Sequence, residues 1–527
     1  MSYFKKTTAL FLSLIIVIGL CGCSYNPGAN KIISMDTENE PKNIDPQLAS
    51  SQSELTIARN TMTGLFRINN KGNAEKSLCE EYKVSSDGLT YEFKIKDAKW
   101  SNGDDITADD FVFGITRALS PETKSPYANT LFFIKNAEQF NNNESSEDEL
   151  GIKLIDKKTF SIILNKEVND IEYRLADIPS MPCNRNFFNK CKGKYGLSKK
   201  DMLYCGPFYV SNWTDKNIKM SRNAEYIGEK AKPATLTMTF NETANKKIDA
   251  IKKNVIDIAI IESAKETDAK KVGLTTHSVQ NTVWAIIINP NTKITENPLT
   301  VSAMSKSINR HMVEDALPSG YSMFSGLIAP ELSLCGNKYS HYINEYSQSS
   351  LQAKEAKEEY MQAIKETGSS LNGSTLLYVN SNQAGNMAIK IAASWQSNLD
   401  AYINTEGVTF AEMKNRIKSG NYTVALYPIG YGISDAETAI QEFKSNNKNN
   451  IFGIKNENFD SIMENAQSES DANKKAELLH NAENCLIESN YIYPVYISPM
   501  VIATTPKLSG YIFDLYKGNF DFSNAVK

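Results

Sequence analysis

The sequence predicts a globular protein of about three lobes in which β-hairpins alternate with amphipathic helices. The chain has 527 residues, and a globular domain holds roughly 100–200 residues. Apolar residues make up 41% and charged residues 22%, a composition that excludes a disordered chain, a fibre and a multi-span membrane protein. Segments of alternating polarity and segments of helical periodicity are interspersed along the chain.

The content of charged, histidine and cysteine residues excludes several functions. With 57 basic and 61 acidic residues the net charge is −4, which argues against a nucleic-acid-binding protein, because such proteins carry a basic excess. The chain has four histidines, and its cysteines form no C-x-x-C pair, so a zinc site is not expected. We expect neither a cofactor nor a bound metal.

Residues 1–22 have the pattern of an export signal. Lys5 and Lys6 precede the apolar stretch 9–20, which is too short for a bilayer span of about 20 residues. The tetrad Leu-Cys-Gly-Cys that ends at Cys23 resembles a bacterial lipobox, although lipoboxes usually carry Ala or Ser at its second position. We therefore expect a lipoprotein signal peptide, lipid modification of Cys23 and a tether over residues 23–30. The alternative is ordinary cleavage that leaves Cys23 as a thiol.

Two further cysteines raise the question of a disulfide. Outside the cytoplasm a disulfide is permitted, and Cys183 and Cys191 are the closest pair in the sequence that follows the tether. The alternative is that these cysteines are buried and free. The sequence leaves both possibilities open.

Local patterns predict hairpins and helix ends in the first third of the chain. Asp87-Gly88 lies between alternating apolar residues and predicts a hairpin whose two turn residues both take positive φ. A second hairpin is expected over residues 152–164 and a helix over residues 53–66. Thr107 followed by Asp110 resembles a capping box, so a further helix is expected to begin at Thr107.

The region from Cys79 to Leu119 carries a resemblance to a known family. It reads S-S-D-G-L-T-Y-E-F-K-I from Ser85, A-K-W-S-N-G from Ala98 and T-A-D-D-F-V from Thr107. This run is similar to the signature of the family 5 solute-binding proteins, the oligopeptide- and dipeptide-binding lipoproteins of ABC importers. Other segments resemble the family in the same order along the chain, and residues 290–450 do so least.

The resemblance implies an α/β fold of the class II periplasmic-binding-protein type, a clamp of two jaws with mixed sheets and an extra third lobe. Lobe I would combine residues 31–62, 188–283 and 498–527. Lobe II, the extra lobe, would span residues 63–187, and lobe III residues 284–497. Lobes I and III would close around the ligand by a hinge motion.

The resemblance also implies a function. The chain would be an extracytoplasmic, lipid-anchored, monomeric binding protein that captures peptides, oligopeptides above all, and delivers them to an ABC permease with separate cytoplasmic ATPases. It would not be an enzyme, since H-E-x-x-H, G-x-S-x-G and phosphate-loop motifs are absent from the sequence. The alternatives are a non-peptide ligand on the same fold, a surface lipoprotein hydrolase, and an adhesive or sensory lipoprotein.

Members of this family hold the ligand backbone with the segment before an Asp-Pro turn and with a strand of lobe III, as an added strand would be held. The first segment corresponds here to Glu40, Pro41, Lys42 and Asn43. Pro41 lacks an N–H group, so only its carbonyl can serve a ligand. The alternative for Glu40 and Lys42 is a solvated charged loop.

The lobe III segment corresponds to residues 421–435. In peptide binders it ends in a Trp-x-Ala-Asp-like stretch whose Asp pairs with the amino terminus of the ligand. If Tyr431 stands for the Trp, Ser434 lies opposite the Asp and Asp435 follows it, while another register places Gly432 there. Asp435 either serves as the anchor or caps a helix predicted over residues 436–443.

Aromatic side chains complete the set of candidate ligand-binding residues. For each of them packing in the core is the alternative. These aromatic candidates are Tyr127, Trp395, Tyr427, Tyr431 and Tyr496.

Overall fold

The structure is a computed structural model of the chain. It describes residues 31–37, 39–168, 170–240, 242–346, 350–430, 435–447, 450–514 and 518–527. The predictions for the signal peptide, Cys23, the tether and Tyr431 therefore concern residues outside the described part.

The strands are numbered in chain order. They are β1 Ile32–Thr37, β2 Phe66–Ile68, β3 Ala74–Lys76, β4 Cys79–Val84, β5 Thr90–Ile95, β6 Ile152–Leu154, β7 Thr159–Ile163, β8 Phe208–Trp213, β9 Asn217–Arg222, β10 Thr235–Phe240, β11 Ile258–Ile261, β12 Thr275–Ile288, β13 Ser322–Met323, β14 Ser333–Leu334, β15 Asn337–Lys338, β16 Thr375–Val379, β17 Asn404–Val408, β18 Val424–Ile429, β19 Ile492–Thr504, β20 Ile512–Asp514 and β21 Asn519–Asp521.

The α-helices are named by their residues. They are Gln52–Thr61, Ala108–Leu119, Ala137–Asn141, Ile171–Arg174, Arg185–Cys191, Ala244–Lys252, Glu266–Lys271, Pro298–Lys306, Arg310–Glu314, Ala353–Thr367, Asn382–Leu399, Phe410–Lys418, Ala436–Gln441, Glu457–Ser468 and Ala472–Glu488.

One mixed sheet runs through the molecule. Within the described residues it has 11 strands in the order β17-β16-β18-β12-β19-β11-β1-β10-β9-β8, with β13 attached to β19. β1 is parallel to β10 and β11, whereas β12 is antiparallel to β18 and β19. The predicted α/β class with mixed sheets is confirmed.

The two longest strands form the middle of this sheet. β12 and β19 pair from Thr275 opposite Thr504 to Ile287 opposite Ile492. The register shifts between Gln280 and Thr282 and again between Trp284 and Ala285. An extra residue of this kind bends the strand and increases its twist, so the pair bends near the middle of its length.

The apolar cores divide on either side of this bend. The largest cluster draws its residues from positions 33–258 and 502–525, whereas two other clusters use only residues between 283 and 497. We call residues 31–282 and 498–527 the first body, and residues 283–497 the second body. The strands β12 and β19 belong to both bodies and connect them.

A smaller four-stranded sheet, in the order β4-β5-β7-β6, lies in the first body. The helix Ala108–Leu119 packs on it, and Phe111 stacks on Phe160 with ring centroids 5.7 Å apart. Apolar side chains of residues 63–187 share one core with those of the flanking segments. This core marks no boundary at 62/63 or 187/188, and the division into three lobes stays a prediction.

The predicted hairpins are confirmed, but the turn type expected at Asp87-Gly88 is wrong. β4 and β5 are antiparallel, with Val84 opposite Tyr91, and β6 and β7 form the second hairpin. Gly88 has a φ of 70°, whereas Asp87 keeps a negative φ. The Asp87 carboxylate accepts hydrogen bonds from the Ser85 hydroxyl and the Leu89 N–H, and these local bonds hold a longer five-residue connection.

Helix ends follow from local hydrogen bonds. The helix Ala108–Leu119 begins where the capping pattern predicted, and Asp110 Oδ2 accepts the Thr107 N–H at 2.8 Å. The helix predicted to reach residue 66 instead ends at Thr61, because Met62 is extended and Phe66 begins β2. Cys183 and Cys191 are both free and buried in the structure. This is the alternative to a disulfide that the sequence left open.

Candidate functional site

The loop that precedes the Asp-Pro turn is held by a buried carboxylate. Glu54, 3% exposed, accepts the N–H groups of Lys42 at 3.0 Å and Asn43 at 3.3 Å on Oε1. Its Oε2 accepts the N–H groups of Ser50 and Ser51. The N–H groups of Lys42 and Asn43 are therefore already used, and a ligand strand cannot bind to them in this conformation.

Binding of a ligand by residues 40–43 stays a prediction, and in this conformation it can use only the acceptor groups of Lys42 and Asn43, because Glu54 holds their N–H groups. Pro41 has no N–H, so the carbonyl oxygens are what Pro41, Lys42 and Asn43 can offer. The Glu40 and Lys42 side chains are exposed and Pro41 is buried. The charges of Glu40 and Lys42 are thus solvated, as in the alternative prediction, and Glu54 holds the backbone of this segment in place.

In the second body, one end of β18 is directed at the strand bend. β18 pairs with β12 along its whole length but with β16 only as far as Leu426. From Tyr427 to Ile429, the edge of β18 away from β12 has no strand partner among the described residues. Gly430 follows with a φ of 79°, and a Cβ on it would lie 3.7 Å from the Asn281 carbonyl oxygen of the first body.

Asp435 begins the helix Ala436–Gln441. Its Oδ1 accepts the Thr438 N–H at 2.8 Å, so the capping role is present in the structure. The helix is two residues shorter than predicted, because Phe443 lies outside it. Burial raises the pKa of the Asp435 carboxyl, and no cation among the described residues forms an ion pair with it. Its role as a ligand anchor stays a prediction.

Charged side chains of the two bodies face one another around Asp435, a feature that the sequence analysis missed. Arg174 interacts electrostatically with Asp435 and Glu437, and Lys166 interacts with Glu437 and Lys475. We call this set the interbody charge cluster. Its members are Lys166, Asp170 and Arg174 of the first body, and Asp435, Glu437, Lys444 and Lys475 of the second body.

Several ion pairs organise the cluster within each body. Arg174 Nε lies 2.7 Å from Asp170 Oδ1, and Lys475 Nζ lies 2.7 Å from Glu437 Oε2. Lys475 and Glu437 have side chains only 12% and 18% exposed. In such partly desolvated surroundings charges interact more strongly than on an open surface.

The aromatic candidates occupy core positions in this conformation. Trp395 is fully buried and its Nε1 donates to the Met304 carbonyl at 3.0 Å. Tyr427 packs edge-on against Phe452, and Tyr496 is fully buried. Tyr127 is half-buried and packs against a small cluster around Leu55. The structure does not bring these side chains together, and their contact with a ligand stays a prediction.

Trp284 is the aromatic residue that the sequence analysis overlooked. It lies at the bend of β12 and stacks on Tyr496, with ring centroids 5.7 Å apart. Its Nε1 donates to Ser498 Oγ at 2.9 Å, and its ring is half-buried. The continuous apolar run from Val283 to Ile288, of the length of a buried strand, is the sequence signal that would have identified this part of the strand.

Further polar side-chain contacts, besides that of Trp284 with Ser498, join the bodies on either side of the bend. Gln383 Nε2 of the second body donates to Glu262 Oε2 of the first at 3.1 Å. Gln280 Nε2 of the first body donates to the Gly320 carbonyl of the second at 2.6 Å. Hydrogen bonds therefore connect the two bodies, and both bodies contribute side chains to the interbody charge cluster.

In the ranges that the structure describes, no group of three or more His, Cys, Asp or Glu residues is arranged to hold a metal ion. Over the same ranges, no helix has the length and apolar character needed to cross a bilayer.

Two bodies that share a mixed sheet and are linked by crossing strands define a binding protein of the class II fold, as predicted. The structure of Listeria monocytogenes OppA bound to peptide has this fold, with a TM-score of 0.80 over 94% of this chain and 99% of that one, at 21% identity. Residues 73–450 match the family model described as bacterial extracellular solute-binding proteins, family 5 middle. The chain belongs to this family.

Curated relatives match along almost the whole chain. The oligopeptide-binding protein OppA of Bacillus subtilis is 25% identical over 547 aligned positions, which cover 99% of each chain. The dipeptide-binding protein of Lactococcus lactis subsp. cremoris is 26% identical, again with 99% of each chain covered. Both relatives are named as binding proteins.

Proposed function

We propose that the chain is the substrate-binding subunit of a peptide ABC importer, anchored by lipid outside the cytoplasm. It captures a peptide between the first and second bodies, and the closed form delivers the peptide to a membrane permease. Family membership and relatives named for oligopeptides and dipeptides support this proposal.

The state of Asp435 is the observation that carries the peptide assignment. One carboxylate oxygen is bonded to the N–H of Thr438. The carboxylate is partly desolvated, and among the described residues no cation forms an ion pair with it, although Arg174 interacts with it electrostatically. The α-amino group of a peptide supplies the missing positive charge, and a charge-assisted hydrogen bond of this kind is worth about 1.5–3 kcal/mol. Asp435 thus both caps the helix and anchors the amino terminus of the ligand.

The test separates these two roles of Asp435. Asparagine is as good an N-cap as aspartate but carries no charge, so Asp435→Asn keeps the helix and loses the anchor. We expect tetra-alanine to bind the variant about 10- to 100-fold more weakly, since charge-assisted bonds contribute about 1.5–3 kcal/mol. The melting temperature should stay within a degree or two. N-acetylated tetra-alanine should bind the wild-type protein and the variant equally weakly.

Isothermal titration calorimetry measures both affinities. Equal affinity of the wild-type protein for the free and acetylated peptides would remove the anchor assignment. No binding of either peptide, nor of a mixed peptide library, would remove the peptide assignment itself. A single non-peptide mass retained in native mass spectra of the purified protein would then favour the alternative ligand class.

The remaining features of the proposal have their own measurements. Peptides should be recovered intact after long incubation, because the proposed function includes no covalent step. Substitution Cys23→Ala should release the protein from the membrane into the medium or periplasm, because the anchor is the lipid on this residue. Light scattering should give the mass of a monomer.

The carbonyl oxygens of Pro41, Lys42 and Asn43 and the free edge of β18 from Tyr427 to Ile429 are proposed to hold the ligand backbone. Both segments have a fixed backbone, one through Glu54 and the other through its pairing with β12. Backbone contacts are independent of the ligand sequence, as a carrier of many peptides requires.

A further inference from the structure

Lys166 lies in the short connection between β7 and the helix Ile171–Arg174, and its backbone position is well determined. The neighbouring Asn165 donates its backbone N–H to the Phe133 carbonyl at 2.9 Å. The side-chain amide of Asn165 donates to the carbonyls of Phe132 at 2.8 Å and Ile134 at 3.2 Å. These three bonds fix the loop on which Lys166 is carried.

The charged groups that interact most strongly with Lys166 form ion pairs of their own. From its own body Arg174 faces it, and Arg174 is paired with Asp170. From the second body Glu437, Lys475 and Lys444 face it. Glu437 is paired with Lys475 at 2.7 Å, and Lys444 lies 3.9 Å from Glu464.

Lys166 therefore carries a positive charge that its surroundings do not neutralise. Within the described part of the chain it forms no hydrogen bond and no ion pair through its ammonium group, and the side chain is half-buried. Burial lowers the pKa of this ammonium to about 8. An incompletely solvated cation among three other cations is unfavourable until an anion reaches it.

We propose that Lys166 binds a carboxylate of the captured peptide, so that the site prefers ligands with a carboxylate close to their amino terminus. The inference rests on the proposed function, in which Asp435 takes the amino group. Lys166 and Asp435 are both neighbours of Arg174 and Glu437, which places the two complementary charges in one cluster. A zwitterionic ligand supplies both missing counter-charges at once.

Two sources of this carboxylate are consistent with the cluster. One is an acidic side chain near the start of a longer peptide, and the other is the C-terminal carboxylate of a dipeptide. Two matched ligand pairs distinguish them. The first pair is Ala-Glu-Ala-Ala and Ala-Gln-Ala-Ala, and the second is Ala-Ala and its C-terminal amide.

The experiment measures the affinity of the purified protein for all four peptides by calorimetry at pH 7. In at least one pair the wild-type protein should prefer the carboxylate by about tenfold or more, as one charge-assisted hydrogen bond provides. Lys166→Gln should reduce that preference to less than about threefold. Lys216→Gln, a control at an exposed lysine of the β8–β9 turn, should leave it unchanged.

A second readout uses the wild-type protein alone. Because only the charged lysine attracts a carboxylate, the affinity ratio within each pair should decline between pH 7 and pH 9.5. Titration of the α-amino group weakens both members of a pair to a similar extent and therefore largely cancels from this ratio. This measurement decides the matter even where Lys166→Gln lowers the melting temperature.

The outcomes separate the two proposals. Binding of all four peptides without any carboxylate preference, or a preference that survives in Lys166→Gln, overturns the role of Lys166 and leaves peptide capture intact. Absence of binding for all four peptides and for a mixed library overturns peptide capture, and the role of Lys166 with it.

Discussion

The Glu54 carboxylate accepts the backbone N–H of Lys42 at 3.0 Å across a separation of 12 residues. The same carboxylate also accepts N–H groups from Asn43, Ser50 and Ser51. A single buried side chain thus sets the path of the loop that precedes the Asp-Pro turn.

Substitution Glu54→Gln should destabilise the protein. The amide nitrogen replaces one acceptor oxygen, so at least two partly buried N–H groups lose their partner, at a cost of about 1–3 kcal/mol in the free energy of unfolding. Urea denaturation followed by circular dichroism measures this loss. Glu358→Gln, at an exposed helix position, is the control and should change the stability by less than about 0.5 kcal/mol. Equal effects of the two substitutions would contradict the assignment.

The pair Arg117–Asp45 should be far more important for stability than a similar pair nearby. Arg117 lies 2.5 Å from Asp45 and over the Phe188 ring, with its side chain 9% exposed. Arg185 lies 3.0 Å from Asp109 and over Phe113 but is 40% exposed.

The matched variants of this second prediction are Arg117→Met and Arg185→Met. Loss of a buried partner leaves a charge unpaired and costs about 3–5 kcal/mol, whereas exposed pairs contribute about 0–1 kcal/mol. We expect this difference in chemical denaturation. A similar loss of stability in both variants would show that burial does not determine how much each ion pair contributes.

His480 should stabilise the second body in a pH-dependent manner. Its Nδ1 lies 2.9 Å from Glu483 Oε1, and this hydrogen bond raises the pKa of His480. A folded-state pKa above the unfolded value gives stabilisation that is complete below the unfolded pKa and is lost as pH rises through the folded pKa.

The His480→Gln variant should therefore lose more stability relative to the wild-type protein at pH 5.5 than at pH 9. Thermal unfolding at both values measures the difference. Asn481→Gln, at an exposed and non-titrating position of the same helix, should show no such trend. A larger loss at pH 9 would reverse the sign of the linkage and contradict the prediction.

Trp284 should report ligand capture through its fluorescence. Its half-buried ring lies at the bend between the bodies, bonded to Ser498, so closure changes its surroundings. A saturating peptide should shift the emission of the wild-type protein and of Trp213→Phe, whose substituted ring lies at the far edge strand of the sheet. The shift should be absent in Trp284→Phe. An unchanged shift in that variant would place the moving contacts elsewhere.

Local patterns predicted the fold well where the determining contacts are close in sequence. The Thr107–Asp110 pair and the hairpin at Gly88 involve neighbours, so their positions followed from spacing alone. The turn type at Asp87 did not follow from spacing, because the Asp87 carboxylate accepts hydrogen bonds from Ser85 and Leu89 that compete with the expected backbone geometry.

The candidate site was predicted less completely. Lys166 and Glu437 are separated by more than half the chain, and no local pattern brings them together. Asp435 was identified because its neighbourhood resembles a family motif. Its capping bond was predicted because Asp is a preferred N-cap. Trp395 is buried in this conformation and donates to the Met304 carbonyl, which the sequence did not reveal because helical periodicity does not tell which side of a helix packs on its neighbours.

The chain enters and leaves the second body at adjacent points, because Trp284 is the strand partner of Tyr496. Everything between these residues is therefore an insertion with neighbouring ends and apolar clusters of its own. Recombination at the two strands can exchange this insertion as a cassette while the remainder of the polypeptide keeps its packing. This architecture allows ligand preferences to change during evolution through the second body, while the first body is kept.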